Sequence, residues 1–179
     1  VRSSSSGHPS SVRDQGPYPI VLAHGFFGFE DFAGAGFANY FYGVKDHLAG
    51  FGETEVSTPA VDPFNSSDVR GEQLHEQIFA ILDQTGASKV NLIGHSQGGL
   101  DARVVANLYP EHVASVTTIA TPHLGTKSAD LAVGASEIPG AKEISDALVR
   151  AISPALWDAA GDTTTISGAY QQFSTLGIA

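Results

Sequence analysis

A chain of 179 residues with 42% apolar residues is long enough for one domain with its own core, at the apolar share of an ordinary globular protein. Its formal charge of -10 excludes nucleic acid and anionic lipid as electrostatic partners, so contact with a lipid surface would have to be apolar. Cysteine is absent, which excludes a disulfide framework and leaves the redox compartment open, and no apolar run is long enough to span a bilayer.

Residues 1–17 open with the Ser-rich stretch "VRSSSSGHPSS" and read as a flexible tail. The chain begins at Val1 without an apolar secretory segment, the pattern of a processed, secreted protein. "PYPIVLAHG" (Pro17 to Gly25) is apolar without polar alternation, which predicts a strand buried on both faces of a parallel sheet. Asn39 to Gly50 carries Phe41, Val44 and Leu48 at helical spacing. Glu53 to Val61 is a weaker strand closed by Pro59. Gly71 to Thr85 places Leu74, Ile78, Ile81 and Leu82 on one helical stripe, with Gly86 where a C-cap belongs. Lys89 to Ile93 is a strand, Gln97 to Tyr109 a helix stopped by Pro110, and His112 to Pro122 a β-branched strand. Strands alternating with helices predict an α/β fold with a mostly parallel sheet. From Lys127 onward the β-branched runs disappear. The best helix there is Ala141 to Trp157, with Ile144, Leu148, Ile152 and Leu156 on one stripe and Glu143, Asp146 and Arg150 opposite.

"KVNLIGHSQGGL" (Lys89 to Leu100) sets Ser96 between Gly94 and Gly98, where an apolar strand gives way to a helix. A sharp strand-to-helix turn presents a serine as a nucleophile, and the flanking glycines remove Cβ atoms that would collide there. The N–H of Gln97, at the helix N-terminus, can then face a developing oxyanion. A plain reading is a serine N-cap in a Gly-rich turn. The first strand ends in "HGFFG" (His24 to Gly28), where the N–H of Phe26 is the candidate second oxyanion donor; the plain reading is a turn whose phenylalanines cover the core. Both segments end parallel strands, so both fall on the edge of the sheet where α/β sites form.

"YPIVLAHGFFG", "GEQL", "KVNLIGHSQGGLDARVVA" and "HVASVTTIATPHLGT", in that order, resemble the bacterial true lipases of the α/β-hydrolase superfamily, the group with the Pseudomonas, Burkholderia and Proteus secreted lipases. The resemblance covers Tyr18 to about Lys127. It implies an α/β-hydrolase core over 18–127 and a helical lid over 128–179. It implies Ser96 as nucleophile, Phe26 and Gln97 as oxyanion donors through their backbone N–H groups, and His24 as support for that loop.

A serine nucleophile needs a base oriented by an acid, in the chain order Ser, Asp or Glu, His. After Ser96 only His112 and His123 remain. His112 reads as a surface residue beside Glu111, and His123 as a loop residue. Asp101 lies on the helix that runs away from the reaction centre, and His95 reads as a buried packing residue. The triad Asp and His are therefore not expected in this chain. The resemblance places them, and a structural calcium ion with its ligands, beyond residue 179, which implies the N-terminal part of a longer enzyme and a second polypeptide as partner. An alternative recruits His123 as base in a minimal hydrolase. The expected function is a secreted triacylglycerol lipase working at the lipid–water interface. The alternatives are an esterase of sterol, short-chain or polymer esters, and an inactive hydrolase fold used for binding.

Overall fold

The structure, a computed structural model, describes residues 17–28, 40–155 and 164–175. Four strands form one parallel sheet: β1 (Ile20–Ala23), β2 (Val56–Ser57), β3 (Val90–His95) and β4 (Val113–Ile119), in the order β2-β1-β3-β4. Ala23 lies opposite Gly94, and His95 opposite Ile119, so the carboxyl ends of β1, β3 and β4 reach one edge together. The crossovers between parallel strands are made by α2 (Ser67–Thr85) and α3 (Gly98–Leu108). Smaller helices are α1 (Val44–Ala49), α4 (Lys127–Ser136), α5 (Ala141–Ile152) and α6 (Ser167–Phe173).

The main core lies between the sheet and the α2–α3 pair. Val21, Ala23, Val90 and Leu92 meet Leu74, Ile78 and Leu82 of α2 and Ala102 and Val105 of α3. Every fourth residue of α2 faces inward, as its stripe requires. Gly86 takes the left-handed conformation (φ 67°) and returns its N–H to Leu82 O, closing the helix where the glycine predicts it. A second, aromatic cluster joins Phe64, Val149 and Ile166 with Phe26 and Tyr170, and so ties α5 and α6 to the carboxyl edge of the sheet.

Several elements depart from the sequence expectations. The strand expected over 53–61 pairs only at Val56–Ser57, since Pro59 offers no N–H to extend the ladder. The helix expected from Gly71 starts at Ser67, whose N–H is accepted by Gln172 Oε1 at 2.7 Å. That cap comes from 105 residues away, beyond the reach of local sequence signals. α5 ends at Ile152 because Ser153–Ala155, with Pro154, tightens into a 3₁₀ turn. Leu156 and Trp157 lie outside the described residues, as do residues 1–16 of the expected tail. α4 and α6 fall in the helical region expected over 128–179, without a sequence signal of their own; α4 is capped by Thr126, whose hydroxyl accepts from Ala129 N–H.

Candidate active site

β3 turns into α3 through backbone contacts that no side chain could enter. A Cβ on Gly94 would stand 2.4 Å from Gly98 O, and a Cβ on Gly98 would stand 2.1 Å from Ala23 O. Only glycine fits either position. Between them Ser96 takes φ 55°, the left-handed region that a residue with a Cβ rarely adopts, at a cost of about 1–3 kcal/mol. Its N–H donates to Ile119 O at 2.9 Å, which ties the turn to the end of β4, and its carbonyl accepts from Gly99 N–H at 3.1 Å.

The loop after β1 runs directly against this turn. A Cβ on Gly25 would fall 2.8 Å from Ser96 Cβ and 2.6 Å from the Tyr40 hydroxyl. Phe27 is also left-handed (φ 61°) and donates its N–H to Pro63 O at 2.8 Å. Gly28 N–H returns to Gly25 O at 3.1 Å. Among the described residues, the N–H groups of Phe26 and Gln97 have no acceptor. Both expected donor groups are thus uncommitted, one on each side of the Gly25–Ser96 contact. The Gln97 side chain is buried and holds Asn65 O through Nε2 at 2.7 Å.

His24 is buried under the loop that it begins. Its Nε2 accepts the Val61 N–H at 3.0 Å, so Nδ1 carries the proton and donates it to Gly25 O at 2.9 Å. Burial, then the neighbouring Arg70 charge, lowers its pKa from 6.5 to about 3. The ring is neutral and braces the loop, with both of its nitrogens engaged there. Arg70 is fully buried and spans the same region: Nη2 donates to His24 O at 2.7 Å, Nη1 to Asp62 O at 3.1 Å, and Nε to Asp101 Oδ2 at 2.9 Å. Burial pushes the Asp101 carboxyl up, against the pull of Arg70. Asp62 in turn accepts the N–H groups of Phe64 and Asn65.

Arg70, Asp62 and Tyr40 carry no part in the sequence reading, and Asp101 enters it only as an acid set aside from the triad. A signal existed for Arg70: it stands four residues before Leu74, on the stripe that continues through Ile78 and Leu82, and a charge on a buried stripe needs a partner. The other histidines are engaged away from Ser96. His95 is half-buried, not packed in the core, and its Nδ1 meets the Tyr40 hydroxyl at 2.6 Å. His123 is exposed, between Arg103 Nη1 at 3.1 Å and Thr118 Oγ1 at 3.0 Å. His112 is paired with His75 and half-buried, not free on the surface. Among the described residues, no three His, Asp or Glu side chains converge as a metal site, so the calcium ion implied by the resemblance finds no ligand set in them.

The strand–serine–helix turn and the loop beside it agree with a family model of the α/β hydrolase fold, which matches residues 18–137. The chain belongs to the α/β hydrolase fold family. Relatives of this chain include proteins named triacylglycerol lipase from Vibrio cholerae (50% identical over 117 residues, 65% of this chain and 36% of that protein) and Pseudomonas fragi (46% over 113 residues, 63% and 37%). A third, from Burkholderia plantarii, is 47% identical over 116 residues. The chain thus spans about a third of the length of these curated relatives. In overall fold it resembles the mature lipase of Bacillus licheniformis (TM-score 0.53, 24% identity, 93% of this chain and 65% of that one) and the lipase of Staphylococcus hyicus (TM-score 0.54, 20% identity, 95% and 55%).

Above the carboxyl edge, α5 turns Asp146 and Val149 inward, while Glu143 and Arg150 stay exposed. Asp146 is buried and accepts the N–H groups of Ile166 and Ser167 at 2.9 and 3.2 Å, and Arg150 Nε donates to Thr164 O at 3.1 Å. The apolar stripe faces solvent: Ile144 is 71% exposed, Leu148 61% and Ile152 38%.

Proposed function

We propose that this chain carries the nucleophile and the oxyanion hole of a secreted carboxylic ester hydrolase acting on lipid esters, a triacylglycerol lipase. The observation that carries the proposal is Ser96 at φ 55°, pressed against the Gly25 backbone, with the uncommitted N–H groups of Phe26 and Gln97 beside it. In the reaction Ser96 Oγ attacks the ester carbonyl carbon while a base takes its proton. The carbonyl oxygen becomes an oxyanion held by the two N–H groups. Collapse expels the alcohol, which receives the proton, and leaves an acyl group on Ser96. Water then attacks the acyl carbon by the same route and releases the fatty acid.

The base and its acid are supplied by polypeptide outside these 179 residues, since His24, His75, His95, His112 and His123 have other partners and His47 stacks on Phe51 at α1. β4 is where that polypeptide continues the sheet: it is an edge strand, and Ile119 at its active-site end is 50% exposed. The exposed stripe of α5 supports a lipid substrate over a small soluble ester, because it gives the rim of the site an apolar face for a lipid surface.

The test is labelling of the assembled protein by an alkyl phosphonate ester, read by intact mass and peptide mapping. One adduct on Ser96, absent from Ser96→Ala, is expected. An unlabelled Ser96 in protein that hydrolyses esters would overturn the assignment, and absence of both label and hydrolysis would make the fold a binding module.

A further inference from the structure

Beside Tyr109, the residue that caps the far end of α3 from Ser96, two imidazoles face each other. His75 Nε2 and His112 Nδ1 stand 2.9 Å apart. The ring planes are within 10°, and the ring centres are 5.2 Å apart. Parallel rings with centres that far apart and nitrogens that close meet edge to edge, so the contact is a hydrogen bond between nitrogens. Such a bond needs one N–H and one lone pair. It survives with both rings neutral, or with one extra proton on the pair. It fails when each facing nitrogen carries its own proton.

Both rings are fixed from outside. Tyr109 lies flat on His75, with centres 3.4 Å apart and planes within 3°, and its hydroxyl donates to Glu72 Oε2 at 2.6 Å. Phe79 tilts against His112 at 6.1 Å. The charged groups facing His75 are Glu72 and Glu76 of α2 and Glu111 of the turn. These three carboxylates favour a first proton on the pair. A second proton meets a like charge across the short N···N contact. His75 sits on α2, and His112 closes the Pro110–His112 turn immediately before β4. A bond between them fastens the entry of β4 to α2.

We propose that His75 and His112 form a proton-operated clasp, which holds the turn before β4 onto α2 while at most one proton occupies the pair and releases it when both rings are charged. The clasp is separate from the Ser96 site and independent of any catalytic reading. Its sign follows from the pair. Burial first, then the His112 charge, lowers the His75 pKa below its ordinary 6.5, against the three carboxylates. The open state therefore takes protons that the closed state resists. The clasp contributes fully above pH 6.5 and weakens as pH falls below it.

The experiment is amide hydrogen exchange of the 179-residue chain between about pH 8 and about pH 4.5, corrected for intrinsic rates, with nitrogen-15 spectra of the histidines. A scalar coupling between the two ring nitrogens is expected at the upper pH and lost at the lower. Amides of residues 109–114 should lose protection by up to about tenfold per pH unit below 6.5, through an opening of lower free energy than the global unfolding that exposes β1 and β3. His112→Gln, whose side-chain oxygen accepts from a neutral or charged His75, should flatten that dependence. Equal protection of the turn at both ends of the range would overturn the proposal. So would exchange of the turn only in step with β1 and β3, or His112→Gln with the full wild-type dependence. The comparison of the turn with β1 and β3 in the unmodified chain decides the matter even if the variant does not fold.

Discussion

Ser96 is strained, so the groups around it must hold it there. Arg70 does most of that work at the residue scale: one guanidinium joins the carbonyls of His24 and Asp62 to the Asp101 carboxylate on α3. Replacing only one member of a buried ion pair leaves a charge without a partner, which typically costs about 3–5 kcal/mol. Arg70→Met should therefore lower stability in urea unfolding by about that amount. Arg70→Met with Asp101→Leu should recover part of it, because both charges leave together. A single variant with unchanged stability would show that the pair does not hold the loop.

His24 makes a separate prediction. Its folded pKa of about 3 lies below the ordinary 6.5, so between those values the unfolded chain binds a proton that the folded chain refuses. The stability due to neutral His24 is whole above pH 6.5 and falls by up to about 1.4 kcal/mol per pH unit below it. His24→Gln, which can still accept the Val61 N–H, should fold with a shallower acid slope. Denaturant midpoints measured at several acidic pH values test this, and an unchanged slope would refute it.

At the scale of elements, what the sequence showed and what it hid divide by range. The β3–Ser96–α3 turn was legible because Gly94 and Gly98 act on their immediate neighbours. The Leu74–Ile78–Leu82 stripe and its Gly86 cap were legible for the same reason. The start of α2 was hidden because Gln172 supplies the cap, and the role of Arg70 because Asp101 lies 31 residues away. α5 shows the limit of periodicity. Its stripe was read correctly, but which face meets the rest of the chain depends on Asp146 finding the N–H groups of Ile166 and Ser167. The consequence is measurable. Ile144→Ser with Leu148→Ser removes apolar surface that already faces water, so unfolding stability should move by no more than about 0.5 kcal/mol per site. Hydrolysis of an emulsified long-chain ester should fall severalfold relative to a soluble short-chain ester in the assembled protein. An equal loss on both substrates would remove the lipid-facing role of α5.

For the molecule as a whole, the two sheet edges are unequal. β2 pairs over only two residues, and a short edge is a poor template for another strand. β4 is seven residues long, and residues 114, 115, 117, 119 and 120 are exposed on and just beyond it. A long β-branched edge pairs with whatever strand it meets. The charge of -10 works against a second copy, since like molecules repel, and salt screens that repulsion over about 10 Å at 0.1 M. The 179-residue chain alone should therefore self-associate more as salt rises, followed by light scattering at fixed protein concentration. Thr117→Lys puts a charge in the middle of the edge and should suppress the effect, and so should the polypeptide proposed to continue the sheet. Association that falls with salt, or that is untouched by Thr117→Lys, would mean that the contact forms elsewhere and that β4 is not the open side of this fold.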